Sequence, residues 1–530
     1  MGLTTKTLGE LLEYMDTERL QLPEIQREFI WRRQSIKLLF DSLFRELPIG
    51  QMLVWKPRET TPKSRGFYKK PHRRNPAKID QFYGYLLDGQ QRLTAISRIR
   101  EADDDYPLMI DLHPEREEGD DETFFWGGRY TDTNPWFLRV SDVLASDFNV
   151  VKHIEALRKD EEFKDRHAEP VRKMLAKLQG ILNYDISVIE FESDSHKEAT
   201  ELFVRFNSTG RKLNKNDLVL AELATRIEGL TSTKMGKLLD QWKPNFQFTR
   251  PFLIQCLVAV HTGRMNLRKP EETWADSTPK EIEASWGKTA RALDMVIEFL
   301  TGTVLWESAS WIPSFNALIP LVYAVANAKS FSSQERKLAR KWLLLTGVHG
   351  YFSASVYTEL DQLLRKMQKE PSIEQLWNVT RKRLPKLRPD DLNVMRRSSP
   401  LMSIFISMLR AEGARDWIND NPLNGTVLGK NAKLHVHHFF PRALLAKNDY
   451  VSDWINTFAN YTVLCASTNF DVSTEEPATY LQRIQAEPKQ LQAQCIPQDP
   501  ELWKVSNYEE FISKREQLLI RKFNEFLEFE

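Results

Sequence analysis

Leu434 to Arg442 reads LHVHHFFPR, and how this stretch folds decides the C-terminal quarter of the chain. Its valine and aromatic residues suit a strand, and Pro441, which cannot donate to a ladder, ends it. Tyr461 to Ala466 reads as a second strand, followed by a helix from about Thr474 to Gln485. The order is strand, loop, strand, helix. Such a unit can grip one divalent ion between its first strand and its helix, where the ion would stabilise the charge that develops as a phosphodiester splits. A histidine beside it can deprotonate the attacking water, because an imidazole with an unperturbed pKa of about 6.5 is a base at neutral pH.

Neighbours in a strand point to opposite faces, so His437 and His438 can both reach one ion only where the strand ends or bends. Pro441 supplies such an end. A competing arrangement is a structural zinc held by His435 and His437, which share a face, with Cys465. The blandest alternative is that the histidines simply pack in a core strand.

This region, roughly Lys433 to Gln485, resembles the HNH (ββα-metal) nuclease domain that ends the GmrSD-type modification-dependent restriction enzymes. The family's first motif is an acid or histidine, then histidine, two apolar residues and proline. His437, His438, Phe439, Phe440 and Pro441 match it. Its Gly-Asn-Leu-Thr-Leu stretch is matched by Ala459, Asn460, Tyr461, Thr462 and Val463, and its closing asparagine by Asn469. The resemblance implies that His438 is the general base, that His437 and Asn469 hold the metal, magnesium or manganese, and that Asn460 fixes the loop carrying the base. Two positions depart from the pattern: Ala459 stands for the usual glycine, and His437 for the commoner carboxylate.

Three N-terminal segments form a second constellation. Tyr83 to Arg100, YGYLLDGQQRLTAISRIR, is an apolar strand, then Asp-Gly, then a helix opened by Gln90, Gln91 and Arg92. A helix start offers free N–H groups to an anion, and Arg92 adds a forked donor that matches phosphate. Asp88 could hold a magnesium ion or a ribose hydroxyl, and Gly89 lets the backbone approach a ligand. Upstream, LPEIQREFIW (Leu22 to Trp31) sets Gln26 and Arg27 between the apolar anchors Ile25, Phe29 and Trp31. Downstream, ELFVRFNSTGRKL (Glu201 to Leu213) reads as a helix with Leu202, Phe203 and Phe206 inward, presenting Arg205 and Asn207 before Gly210.

With Asp41, Ser42, Pro48, Ile49 and Gly50, these segments resemble the ParB-like NTPase domain of the same family over roughly Thr5 to Leu223. That likeness implies that Gln26, Arg27, Asp88, Gly89, Gln90, Gln91, Arg92 and Asn207 bind and hydrolyse a nucleotide, with GTP, UTP and ATP left undistinguished. It also implies that the nucleotide regulates the nuclease. No Walker-type glycine-rich loop is present.

The chain of 530 residues is long enough for roughly two to four domains. Its 74 basic and 73 acidic side chains leave a net charge of +1, so any nucleic-acid contact must come from local patches. Three distant cysteines suit a reducing cytosol, and the acidic, amphipathic N-terminus is unlike a signal peptide. The most apolar stretch, Phe315 to Ala326, is too short to span a membrane. A cytoplasmic protein is expected.

The fold expected is α+β and helix-rich. An α/β domain occupies 1–225, a helical connector 226–395 and the ββα nuclease domain 396–530. In the first, Gln34 to Leu47 reads as a helix, and Gln51 to Trp55, Tyr83 to Leu87 and Ile186 to Phe191 as strands. A basic loop from Lys63 to Lys78 carries Phe67 and Tyr68 and could track a phosphate backbone, while an acidic loop spans Glu101 to Asp121. Arg381, Lys382, Arg383, Lys386, Arg388, Arg396 and Arg397, around Pro385 and Pro389, form either a linker or a DNA-facing edge.

The function expected is an NTP-regulated, metal-dependent endonuclease acting on double-stranded DNA, modified or foreign, in bacterial anti-phage restriction. The alternative is a nucleotide-switched DNA-binding protein whose ββα unit is only structural. The sequence leaves a homo-oligomer open.

Overall fold

The computed structural model of the chain describes residues 1–23, 26, 29–58, 64–65, 82–114, 122–208, 215–227, 229–243, 245–265, 273–274, 276–306, 308–328, 330–352, 356–392, 400–423, 434–472 and 474–529. They gather into two compact units, Met1–Lys234 and Met235–Glu530.

The first unit is built on a mixed sheet of β1 (Gly2–Thr7), β2 (Leu20–Pro23), β3 (Met52–Lys56), β4 (Ser64–Arg65), β5 (Gly84–Asp88) and β9 (Asp185–Glu192), in the order β1-β9-β3-β5-β2-β4. The central strands read as unbroken apolar runs because both of their faces are covered. Met52, Val54, Leu86 and Val188 turn towards α1 (Leu8–Asp16), α2 (Arg33–Phe44), α3 (Gln90–Arg100) and α4 (Ala168–Gly180). Leu53, Trp55, Tyr85 and Leu87 turn the other way, onto Ala199 and Phe203 of α5 (His196–Ser208). The three strands and the helix expected from apolar patterning are thus present within a few residues of the expected ends.

Between Glu101 and Asp121 the sequence reading of one acidic loop misses a strand. Leu108–Asp111 is β6, buried along its length, and it lies between β7 (Phe124–Trp126) and β8 (Phe137–Arg139) in a second sheet. Flanking acidic residues hid a short apolar run that the core claims. The basic loop lies largely outside the described residues, although Ser64 and Arg65 form β4 against Leu22 and Pro23.

The second unit begins with a helical assembly of α6 (Arg250–Thr262), α7 (Pro279–Gly302), α8 (Leu318–Ala326), α9 (Ser333–Val348), α10 (Val356–Met367) and α11 (Ile373–Thr380). Every residue of α8, LIPLVYAVA, is buried, which explains why it shows no polar face. Capping boxes open α7 and α9: Thr278 with Glu281 at α7, and Ser332 with Glu335 at α9. The helix α12 (Pro400–Ala411) packs on α9 and on α16 (Tyr508–Phe526), so the helical assembly and the segment carrying His437 and His438 share one unit. Between them lie β10 (Leu434–His438), β11 (Tyr461–Cys465), α13 (Ala466–Val472), α14 (Pro477–Ile484) and α15 (Pro488–Ala493).

The strands β10 and β11 form a two-stranded antiparallel ladder pairing Val436 with Val463 and His437 with Thr462. At Val463 the outer edge of β11 is closed by a side chain: the fully buried Gln494 accepts from the Val463 N–H at 2.9 Å and donates to the Val463 carbonyl at 2.8 Å. Among the described residues, no helix is long and apolar enough to cross a membrane.

Gly89 joins β5 to α3 at φ 103°, and a Cβ built there would stand 2.8 Å from Met52 Cγ. A side chain at such a φ is strained by about 1–3 kcal/mol. Gly89→Ala should therefore lower the unfolding free energy read from urea titration by about 1–3 kcal/mol; a value equal to wild type would contradict the strain.

Candidate functional sites

In the first unit, three sequence segments meet around the turn from β5 into α3. The β2 ladder covers β5 only at Gly84 and Tyr85, which leaves the next carbonyls of that edge in need of donors. Gln26, 5% exposed, supplies them: its amide donates to the carbonyls of Leu86, at 3.1 Å, and Leu87. The Gln91 side-chain oxygen accepts from the Ile30 N–H at 2.9 Å, tying the same segment to α3.

Arg92 is turned inward. Its guanidinium donates to the carbonyls of Ile49 and Gln51 and to the Asp88 carboxylate, each at 2.7 Å. The fork that the sequence offered to phosphate thus grips the Pro-Ile-Gly turn, and Gly50 is required there, since a Cβ would meet the guanidinium at 2.9 Å. Gln90 is buried, and the cap residue Gly89 leaves the first turn of α3 with no side-chain cap. Gln26, Asp88, Gly89, Gln90, Gln91 and Arg92 therefore form one junction. Arg27 lies outside the described residues. Asn207 falls within α5, but its side chain is likewise outside them.

In the second unit, both histidines keep regular strand register: His437 faces Thr462 and His438 faces Tyr461. His438 is the last residue of β10, and because both residues stay in register, the His437 and His438 side chains leave the ladder on opposite faces. Its ring lies 4.8 Å from the Tyr461 ring, and its Nε2 is 3.1 Å from the Asn456 side-chain oxygen. Asn456 is oriented in turn, because its amide nitrogen donates to the Ser452 carbonyl and hydroxyl at 2.8 and 3.1 Å. That leaves its oxygen for the imidazole, which donates from Nε2.

Asn460 is fully buried, and its amide is spent on backbone. It accepts from the Phe440 N–H at 2.8 Å and donates to the carbonyls of Phe440 and Ile455 at 3.2 and 3.0 Å. Its own carbonyl accepts from the Phe439 N–H at 2.7 Å. The residues straight after the histidine pair are thus clamped to the start of β11. Arg515 of α16, also fully buried, donates to the carbonyls of Ala459, Tyr461 and Gln494 at 2.6, 2.7 and 3.1 Å. Burial pulls its guanidinium down to about 10, so it keeps its charge at neutral pH.

Asn469 sits half-buried in α13, a helix that the sequence pattern missed and that packs on both strands. The buried Asp416 carboxylate, remote in sequence, accepts from the Cys465 N–H at 2.7 Å and from the Thr468 hydroxyl, tying the end of β11 to the first turn of this helix. Asn456, Arg515 and Asp416 all escaped the sequence reading; only Asn456 left a signal, a third asparagine four residues before Asn460.

The zinc alternative fails on register. Cys465 pairs with Leu434 and so shares the Leu434, Val436 and His438 face, away from His435 and His437. Among the described residues, no three His, Cys, Asp or Glu side chains are grouped to hold a metal.

Asn460→Ala would strip donors and acceptors from a dry loop, and we expect a loss of about 2–4 kcal/mol in denaturant unfolding. A loss below about 1 kcal/mol would mean that the clamp does not hold the loop. Burial pushes the Cys465 thiol up to about 11, with the Asp416 charge adding to it, and burial does the same to Cys495. These raised folded values imply stability fully present below about pH 9 and lost as pH rises towards 11. Both thiols should resist alkylation at pH 8 in native protein and react after unfolding, as mass spectrometry would read.

An uncharacterized protein of Methanocaldococcus jannaschii is 20% identical over 523 residues, covering 91% of this chain and 87% of that protein. Residues 8–224 match a family model described as the N-terminal domain of the GmrSD restriction endonuclease. That match covers β5, the Asp88–Arg92 turn and α5, and it supports the GmrSD restriction endonuclease family for the first unit of the chain.

Proposed function

We propose that the chain is a metal-dependent DNA endonuclease of GmrSD type, in which a ParB-like first unit binds and hydrolyses a nucleotide and thereby regulates cutting. The substrate is double-stranded DNA, foreign or modified, and the role is restriction of phage. The observation that carries the nuclease reading is the Asn460 clamp, which fixes the loop immediately after His437 and His438 by four backbone-directed hydrogen bonds. Such rigidity is what a positioned base needs, because a displacement of about 1 Å can cost about a hundredfold in rate.

In this reading His438 takes the proton from the attacking water. With Nε2–H directed to Asn456, the neutral ring would accept at Nδ1. His437 and Asn469 would hold the cation. An imidazole nitrogen and an amide oxygen are neutral donors, and they fit an ion that keeps water and substrate phosphate oxygens as its remaining ligands. When bound, the cation supplies charge stabilisation at the phosphate. Asn460 is not a ligand, since its amide is committed to backbone.

For the first unit, the uncapped start of α3 offers N–H groups to a nucleotide phosphate. Asp88 and Gln90 stand beside it, with Arg27 and Asn207 as further contacts. Gln26, Gln91 and Arg92 act by holding the three segments in register. The nucleotide is GTP, UTP or ATP, and the cation magnesium or manganese.

His438→Ala should reduce cleavage of duplex DNA in magnesium or manganese by at least about a hundredfold, while the thermal melt and nucleotide turnover stay at wild-type values. A variant that still cuts at the wild-type rate would remove His438 from the reaction. Intact binding of duplex with no scission by the wild-type chain under any NTP would favour the scaffold reading instead.

A further inference from the structure

The basic stretch after α11 was legible in sequence as either a linker or a DNA-facing edge, and its packing decides against a linker. Leu384, Leu387 and Leu392 are buried at 0–2% exposure, so the segment is part of the second unit's core. The Leu387 N–H donates to the Asn524 side-chain oxygen at 2.9 Å, and the Asn524 amide donates back to the Leu387 carbonyl at 2.9 Å. The Pro385 carbonyl lies 3.0 Å from His349 Nε2. A strap pinned by these contacts is fixed in place, and the residues before and between the leucines stay exposed.

Most of the charged residues among them are basic, with Asp390 the exposed acid at the strap's downstream end. Arg381, Lys382, Lys386 and Arg388 are exposed, and none forms an ion pair among the described residues. Arg383 differs from them: it pairs with Glu359 at 2.8 Å and lies over the Tyr351 ring at 4.1 Å, which anchors the start of the strap. Of the acids just downstream, Asp391 turns its carboxylate to the Arg388 N–H at 2.7 Å.

The helix that pins the strap also braces the candidate nuclease site. Arg515 and Asn524 both lie on α16, nine positions apart, about 14 Å along the axis at 1.5 Å per residue. That axial offset equals about four base-pair steps of duplex at 3.4 Å each.

We infer that the strap Arg381–Arg388 is a contact for the phosphate backbone of duplex DNA, carried by Arg381, Lys382, Lys386 and Arg388. This rests on the reading that the chain acts on DNA, and it adds the surface that holds the substrate. Long cationic side chains on a fixed backbone lose little backbone freedom on binding, and each phosphate they neutralise releases counterions. The contact is independent of base sequence, because phosphates carry no sequence information directly.

The test is fluorescence anisotropy of a labelled duplex of about 30 base pairs with the full chain in EDTA, which prevents cutting, from about 50 to about 200 mM salt. The variant Arg381→Gln/Lys382→Gln/Lys386→Gln/Arg388→Gln should weaken binding at least about tenfold at low salt and flatten the slope of log K against log salt by about 2 to 4. Lys382→Gln/Lys386→Gln should give an intermediate effect, and Arg381→Lys/Arg388→Lys should bind like wild type. A control that removes four exposed charges from the first unit, Lys152→Gln/Lys159→Gln/Arg172→Gln/Lys173→Gln, should leave both quantities unchanged. An unchanged slope in the strap variant, an equal effect of the control, or a preference of the strap for single-stranded RNA would overturn the inference. Because binding is read without cleavage, a His438→Ala chain that still cuts would sink the nuclease reading while leaving this measurement intact.

Discussion

The second unit depends on one buried cation. The Arg515 guanidinium has no access to solvent, and its charge is met by the carbonyl dipoles of Ala459, Tyr461 and Gln494. Burying a charge is costly unless hydrogen bonds compensate it, so the three carbonyls are held where the guanidinium needs them. Two flank Asn460 and one belongs to the residue that closes the edge of β11. The aromatic stack of Phe511 on Phe439, at 4.8 Å, carries the same alignment one turn along the helix. Strand, clamp and C-terminal helix are therefore one mechanical piece.

The first unit reaches a comparable rigidity with neutral amides and one surface-near ion pair. Gln26, Gln91 and Arg92 each bond to the main chain of a different segment, so residues that look like ligand donors in sequence spend donors on assembling the junction. What such knitting leaves for an anion is the helix start itself, at Gly89.

Much of the fold was legible. Unbroken apolar runs marked β3 and β5, a β-type run ended by Pro441 marked β10, and helical spacing marked α2, because in each case the signal lies within a few neighbouring residues. The asparagine of the clamp was legible only through the family motif that Ala459 to Val463 resembles. The helix α13 was not: Ala-Ser-Thr-Asn-Phe-Asp-Val has no apolar stripe, and the carboxylate that ties its first turn to β11 is Asp416, about fifty residues upstream. Arg515 was hidden too, since a charged residue within a helix normally faces water. The inward turn of Arg92 could not be read because its acceptors are carbonyls, which any residue carries.

The side chain of Gln494 has a further consequence for the life of the protein. A two-stranded ribbon with a bare rim invites another extended peptide to dock alongside it, the first step towards fibres or swapped dimers. By imitating the hydrogen bonds of a third strand with a single amide, Gln494 blunts that rim at Val463. A small two-stranded ladder can then stay two strands wide without becoming a template for its neighbours in a crowded cell.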